Sequence, residues 1–191
     1  EFKITENKRF YTQAIRGKPI IGLPQHVSRI CGTCSIAHEM CCIEAIEKTL
    51  GVRPTAQTVL LRKLAMYGLM IRDHALHLYI FVLPDIIGVD SIMDINKSHH
   101  HLIHEAFKVK AVGNELSKLV AGRSVHAPYP VVGGFNHFPE RSDIDKVVKQ
   151  LKEIRPITLK LIRTFYKCPF KFDRPTRFVG LAAEEFSFLE G

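Results

Sequence analysis

Residues 28–51 read Ser-Arg-Ile-Cys-Gly-Thr-Cys-Ser-Ile-Ala-His-Glu-Met-Cys-Cys-Ile-Glu-Ala-Ile-Glu-Lys-Thr-Leu-Gly. After Ile36, apolar residues recur at helical spacing (Ile43, Ile46, Leu50), and Gly51 followed by Arg53-Pro54 supplies a stop, so the pattern predicts a helix over about 36–50. Two thiols three residues apart, Cys31 and Cys34, fall where that helix begins. The unpaired amides and positive dipole end of a helix favour thiolate over thiol, and Arg29 adds positive charge nearby. Thiolates are what soft ions such as zinc, copper(I), nickel and iron require. His38 lies four residues after Cys34, on the same helical face and one turn further along.

Working outward, a second helix is expected over about 55–83, with Val59, Leu60, Leu64, Leu69, Leu76 and Ile80 on apolar faces and Pro84 ending it. A third is expected over about 97–120, with Gly122 placed as its C-terminal cap. Residues 122–142 hold three Gly and three Pro, too many for a regular element, and read as an ordered loop threading a site or an interface. Ser142-Asp143-Ile144-Asp145 then resembles a capping box, and Ile144, Val147, Val148, Leu151 and Ile154 follow at helical intervals. This fourth helix is expected to end or kink near Pro156 and resume to about Tyr166. Short strands are expected at residues 2–4 and 177–181. The fold expectation is mainly α: a long-helix bundle with minor β, in a single domain over residues 1–191, with a site loop at 28–38 and an irregular loop at 122–142.

With 191 residues, 46% of them apolar and 24% charged, the chain is long enough to bury a core. The formal charge of +8 is spread along the sequence. Without zinc-finger spacing or an aromatic-and-basic ribonucleoprotein signature, it indicates solvated faces or an acidic protein partner, and no nucleic acid. The apolar stretch over residues 59–83 is broken by Arg62, Lys63, Arg72, Asp73, His74 and His77, so no membrane span is expected. No secretion signal opens the sequence, which reads as cytoplasmic. Of five cysteines, Cys31, Cys34, Cys41 and Cys42 cluster while Cys168 stands alone, a distribution that points to metal or redox chemistry and away from a disulfide scaffold.

From the residues alone, three further readings of the cysteine pair stay open. A structural zinc site would draw on Cys31, Cys34, His38 and Cys41 or Cys42, but one face of a continuous helix cannot surround an ion. A thioredoxin-like dithiol would follow a strand in a βαβ pattern, which is missing. The blandest reading takes the pair as two small core residues. Elsewhere, His99, His100, His101 and His104 read as a solvated helix face and not as a metal site. His74 and His77 read as hydrogen-bonded core histidines packing near the site, and Cys41 and Cys42 as buried small apolar residues.

The longer pattern Arg29-x-Cys31-Gly32-x-Cys34-x-x-x-His38 resembles the N-terminal metal-binding signature of nickel-iron hydrogenase large subunits. Arg72-Asp73-His74-Ala75-Leu76-His77-Leu78 and Leu83-Pro84-Asp85 are similar to the helix that follows in cytoplasmic members. Gly113-Asn114, Gly122-Arg123-x-x-His126 and Gly133-Gly134 resemble the next landmark, so the similarity spans most of residues 9–190. The resemblance implies an enzyme component that reversibly cleaves dihydrogen heterolytically at a nickel-iron centre, the iron also carrying cyanide and carbon monoxide. It implies Cys31 as a terminal nickel ligand, Cys34 as a bridge from nickel to iron, and His38 as a hydrogen-bonding support for the bridging sulfur. Arg29 would help hold the loop or the electron-accepting partner. The implied partner is a small subunit carrying iron-sulfur clusters.

The second pair of cysteines in that family lies in an Asp-Pro-Cys-x-x-Cys signature, which this sequence lacks, and its Glu-Gly-His segment would fall before residue 1. Acidic residues often found upstream of the first signature are replaced by Ile20, Ile21 and Gly22. Two thiolates do not encage a binuclear centre, so the chain alone is expected to be inactive. A missing segment or a second chain would supply the other pair. The alternative is a non-catalytic scaffold or electron-transfer subunit of the same ancestry, with an idle or zinc-binding cysteine pair.

Overall fold

Thr55 caps the longest run of apolar residues, its side-chain oxygen accepting the Thr58 N–H at 3.2 Å, which satisfies one of the amides a helix start leaves orphaned. Comparable local signals set most of the boundaries in the computed structural model, which describes Lys3, Thr5, residues 9–95, 99–168 and 170–180, and Ala182. In chain order the helices are α1 (Arg9–Ile15), α2 (Leu23–Val27), α3 (Ser35–Leu50), α4 (Ala56–Leu76), α5 (Leu83–Ile87), α6 (His100–Ala121) and α7 (Arg141–Tyr166). Helices α3 and α6 stop at Gly51 and Gly122, both left-handed (φ 70° and 83°), a conformation glycine adopts without a Cβ penalty.

Pro84 does not end the second helix as the sequence suggested. α4 passes into a π-helical turn, His77–Val82, and Pro84 then sits in the first turn of α5. Proline has no N–H to donate to the preceding turn, and the widened turn and restart accommodate that loss. α7 likewise runs unbroken through Pro156 to Tyr166, and it starts one residue before Ser142, so the expected capping box lies inside the helix. Its buried residues Val147, Ile154 and Leu161 repeat every seven positions along one stripe.

The strand expected at 177–181 is not formed over residues 177–180, while residue 181 and most of 2–4 lie outside the described residues. The minor β appears instead inside the 122–142 loop, as β1 (Pro130–Val131) and β2 (Gly134–Phe135). These pair antiparallel, Pro130 opposite Phe135 and Val131 opposite Gly134. A buried ion pair docks this hairpin: Arg62 on α4 donates to both carboxylate oxygens of Glu47 on α3 at 2.8 and 2.6 Å, and Glu47 Oε1 accepts the Gly133 N–H at 2.6 Å. Burial pushes the Glu47 carboxyl upward, but Arg62 and the Gly133 amide outweigh it and hold the group below its usual range.

The central packing is α4 against α6. Ile36, Met40, Leu61, Ala65, Leu69, Leu116, Val120, Phe135 and Val147 form one core around these helices, and Tyr79, Leu83, Ile95, Leu102, Ala106 and Leu161 form a second beyond the π-helical turn. At the crossing two glycines face each other's backbones. A Cβ on Gly113 would stand 2.7 Å from Arg72 N and 2.8 Å from Gly68 O, and one on Gly68 would stand 2.5 Å from Ser117 Oγ. Beside this crossing, an apolar groove of about 760 Å³ lies among α4, α6 and α7, lined by Tyr67, Ile71, His74, Leu116, Leu151 and Ile162 among others. His74 and His77 are consequently exposed, not the core histidines expected, because no described element covers that face.

The crossing makes a direct prediction. Gly113→Ala forces a methyl against backbone atoms that cannot swing away, so it should destabilise the chain by about 1–3 kcal/mol, the usual cost of overpacking. The measurement is the urea midpoint of the variant against that of the parent; equal midpoints would mean the helices are not in backbone contact.

Candidate metal centre

Three short features build the site. A 3-10 turn, Ser28–Ile30, delivers the chain to Cys31, which is extended (φ −145°, ψ 137°), and Gly32 and Thr33 turn it back so that Cys34 becomes the N-cap of α3. The Cys34 N–H points at Cys31 Sγ at 3.4 Å, and Thr33 Oγ1 lies 3.5 Å from the same sulfur. The N-terminal end of a sixteen-residue helix therefore faces sulfur, as its orphan amides and partial positive charge favour. His38, one turn along α3, donates its N–H to the Cys34 carbonyl at 3.2 Å. One of its ring nitrogens and the sulfurs of Cys31 and Cys34 lie within 4.8 Å of one another, and all three residues are half-buried.

The structure joins Cys31 and Cys34 as a disulfide, with Cα atoms 5.5 Å apart, where the sequence reading expects two thiolates. Such a spacing suits a disulfide and equally two ligands of one ion. A disulfide sulfur has no charge to give a metal, so ligation requires reduction of the pair first. Once reduced, the pair offers the soft donors that nickel and iron take, and it supplies half of the four-cysteine set that a binuclear centre would use.

The other candidates separate cleanly. Arg29 is exposed beside the turn. Cys41 is exposed and Cys42 half-buried, not the buried apolar residues expected, because α3 turns them away from the core that Met40 and Ile43 enter. Neither joins the three-residue cluster, so the four-ligand zinc set is not assembled among the described residues. His100 and His104 lie with ring centroids 5.9 Å apart on the exposed start of α6 and also form no metal cluster among those residues.

The sequence reading missed what holds this loop in place. His126, in left-handed backbone (φ 54°), grips both ends of the cysteine turn: its N–H donates to Ser35 Oγ at 3.0 Å, and its Nδ1 lies 3.0 Å from the Ser28 carbonyl. A left-handed non-glycine residue costs energy that its surroundings must offset. Arg72 on α4 donates to the carbonyls of Thr33 and Ser124. Gln25 donates to the Ala127 carbonyl at 2.6 Å and to Glu39 Oε1 at 2.7 Å. Glu39 is completely buried, and desolvation drives its pKa up to about 8 despite the hydrogen bond from Gln25, which lowers it. The family-like motifs had singled out Arg72 and His126 but not what they hold, because their partners lie far away in sequence.

The architecture is a helical bundle that gathers two cysteines and a histidine at one helix start, a donor set of the kind that metal-binding helical proteins use. The profile of the nickel-dependent hydrogenase family matches residues 12–111. This chain belongs to that family. Sulfhydrogenase 2 subunit alpha and sulfhydrogenase 1 subunit alpha of Pyrococcus furiosus are 33% and 34% identical to it, over 85% and 87% of this chain but 40% and 39% of their own lengths. In three dimensions it is similar to an NAD+-reducing [NiFe]-hydrogenase, with a TM-score of 0.77 at 24% identity, covering 85% of this chain and 38% of that one. A [NiFeSe]-hydrogenase of Dm. baculatum shares the fold with a TM-score of 0.67 at 21% identity, covering 81% and 37%. The chain thus spans about two fifths of the length of these relatives.

Glu39 yields a pH prediction. Its folded state binds the proton more tightly than the unfolded chain does, so its stabilisation is whole below the ordinary value of 4.5 and is lost as the pH rises through about 8. Glu39→Gln, which carries a neutral amide at every pH, should flatten the fall in melting temperature between those limits. A gap between parent and variant that does not change with pH would mean that the carboxyl is already ionised.

Proposed function

We infer that this chain is the N-terminal, cysteine-bearing portion of the catalytic large subunit of a nickel-iron hydrogenase. The observation that carries this reading is the gathering of Cys31, Cys34 and His38 within 4.8 Å at the start of α3, in a chain of the nickel-dependent hydrogenase family. Cys31 and Cys34, reduced, would hold nickel and iron, Cys31 as a terminal ligand of nickel and Cys34 as the bridge between the two metals. The other two cysteines come from a further segment or a second polypeptide, since no Asp-Pro-Cys-x-x-Cys occurs among these 191 residues. When bound, the nickel-iron group with its cyanide and carbon monoxide ligands supplies the redox-active site at which dihydrogen is split into two protons and two electrons.

The chain's own residues orient and shield that site. The Cys34 amide donates toward sulfur and tempers its charge, and His38, with a ring nitrogen within 4.8 Å of both sulfurs, would support and orient the bridging thiolate. A terminal thiolate at Cys31 is the base in this chain that can take the proton at Sγ. Exposed Arg29, beside the turn, would meet a small subunit whose iron-sulfur clusters would take the electrons. A cytoplasmic location goes with this reading, because residues 72–85 resemble the corresponding helix of cytoplasmic members. No helix among the described residues is long and apolar enough to cross a membrane.

The test is made on the complex assembled with all its partners. Metal analysis should find nickel together with iron, and infrared spectra should show cyanide and carbonyl bands. Cys31→Ser or Cys34→Ser should abolish both the nickel and the bands. Zinc alone, or no metal, would establish instead the non-catalytic scaffold with an idle or zinc-binding pair.

A further inference from the structure

Arg72 is only 3% exposed, yet it forms no ion pair with a carboxylate among the described residues. Its terminal nitrogens donate to two neutral acceptors, the carbonyls of Thr33 and Ser124, and its Nε has no hydrogen-bond partner. Removing a guanidinium from water is costly, and the neighbouring Asp73 carboxylate offsets only part of that cost, since burial still holds the Arg72 pKa below its usual range. Its position is not an accident of a long side chain. The Arg72 backbone lies at the α4–α6 crossing, where glycine at 113 lets the two helices meet. From there the side chain spans two loops, reaching 39 residues back to Thr33 and 52 residues forward to Ser124.

Thr33 is the residue between Gly32 and Cys34, and its carbonyl belongs to the peptide whose amide donates toward Cys31 Sγ. Fixing that carbonyl fixes the plane of the peptide, and with it the direction in which the amide of Cys34 points. We propose that Arg72 is the positioning residue of the metal centre: its two-point grip on Thr33 and Ser124 holds the turn that aims both sulfurs at one ion. The proposal rests on the metal-centre reading above. Lysine carries the same charge but a single point of attachment, so it cannot reproduce a fork that spans two carbonyls.

The experiment uses the full chain, reduced and kept free of oxygen, titrated with Co2+, whose bonds to thiolate sulfur give an intense near-ultraviolet absorption. Cys31→Ser serves as the control that removes it. Arg72→Gln is expected to weaken Co2+ binding roughly ten- to hundredfold, the usual loss when a residue that orients metal ligands is removed. Arg72→Lys should lose part of the affinity while keeping the helical circular-dichroism signal of the parent. Parent-like Co2+ affinity in both variants would overturn the proposal, as would a loss of binding that only tracks loss of helical signal in both. If the unaltered chain itself gives no sulfur-to-cobalt absorption, the metal-centre reading fails first, and the proposal falls with it for that separate reason.

Discussion

The absence of side chains at Gly68 and Gly113 is the constraint on which the remainder of this structure depends. Because neither residue carries a Cβ, the backbones of α4 and α6 meet at a separation that a methyl group would not allow. Dispersion and burial along the rest of the two helices then follow, with Ala65, Leu69, Leu116 and Val120 completing the contact. The same crossing sets where Arg72 leaves α4, and therefore how far its guanidinium reaches toward the cysteine turn. Packing and site geometry are thus one problem in this protein, solved by two missing methyl groups.

Around that crossing the chain uses buried charge to tie loops to helices. Arg62 and Glu47 join α4 to α3, and through the Gly133 amide they also seat the β1–β2 hairpin. A buried pair of this kind gives little net stability after desolvation, but leaving one partner alone would be expensive, so it specifies which loop docks where. Gln25, His126 and Arg72 do the same for the cysteine turn, each linking it to residues 124–127. The glycine- and proline-rich loop after α6 is therefore ordered by what it holds. Its irregular backbone leaves carbonyls and amides free for side chains of other elements to use.

What the chain leaves uncovered fits its extent relative to the family. The groove between α4 and α7 is apolar, His74 and His77 stand on an open face, and several aromatic residues such as Phe81, Phe107 and Tyr166 are exposed. Apolar surface of this size calls for cover. The relatives are about two and a half times as long as the matched region, so they have chain to spare for such cover. The same shortfall goes with the proposed metal centre, in which Cys31 and Cys34 would need two further cysteines from elsewhere.

The amino-acid sequence by itself determined the helices and the cysteine turn. Apolar spacing and stop glycines act over a few residues, so the spans ending at Gly51 and Gly122 and the placing of Cys34 at the start of α3 were legible without coordinates. Local rules failed at Pro84 and Pro156, where packing on both sides of the proline stabilised a continued helix more than one lost hydrogen bond destabilised it. They failed again for His74, His77, Cys41 and Cys42, because periodicity identifies a face but not whether anything covers it. Only the tertiary structure decided that Arg72, His126 and Gln25 hold the cysteine turn. Their partners lie 39 to 102 residues away, and a hydrogen bond across such a distance is set by how helices cross, which no local pattern encodes.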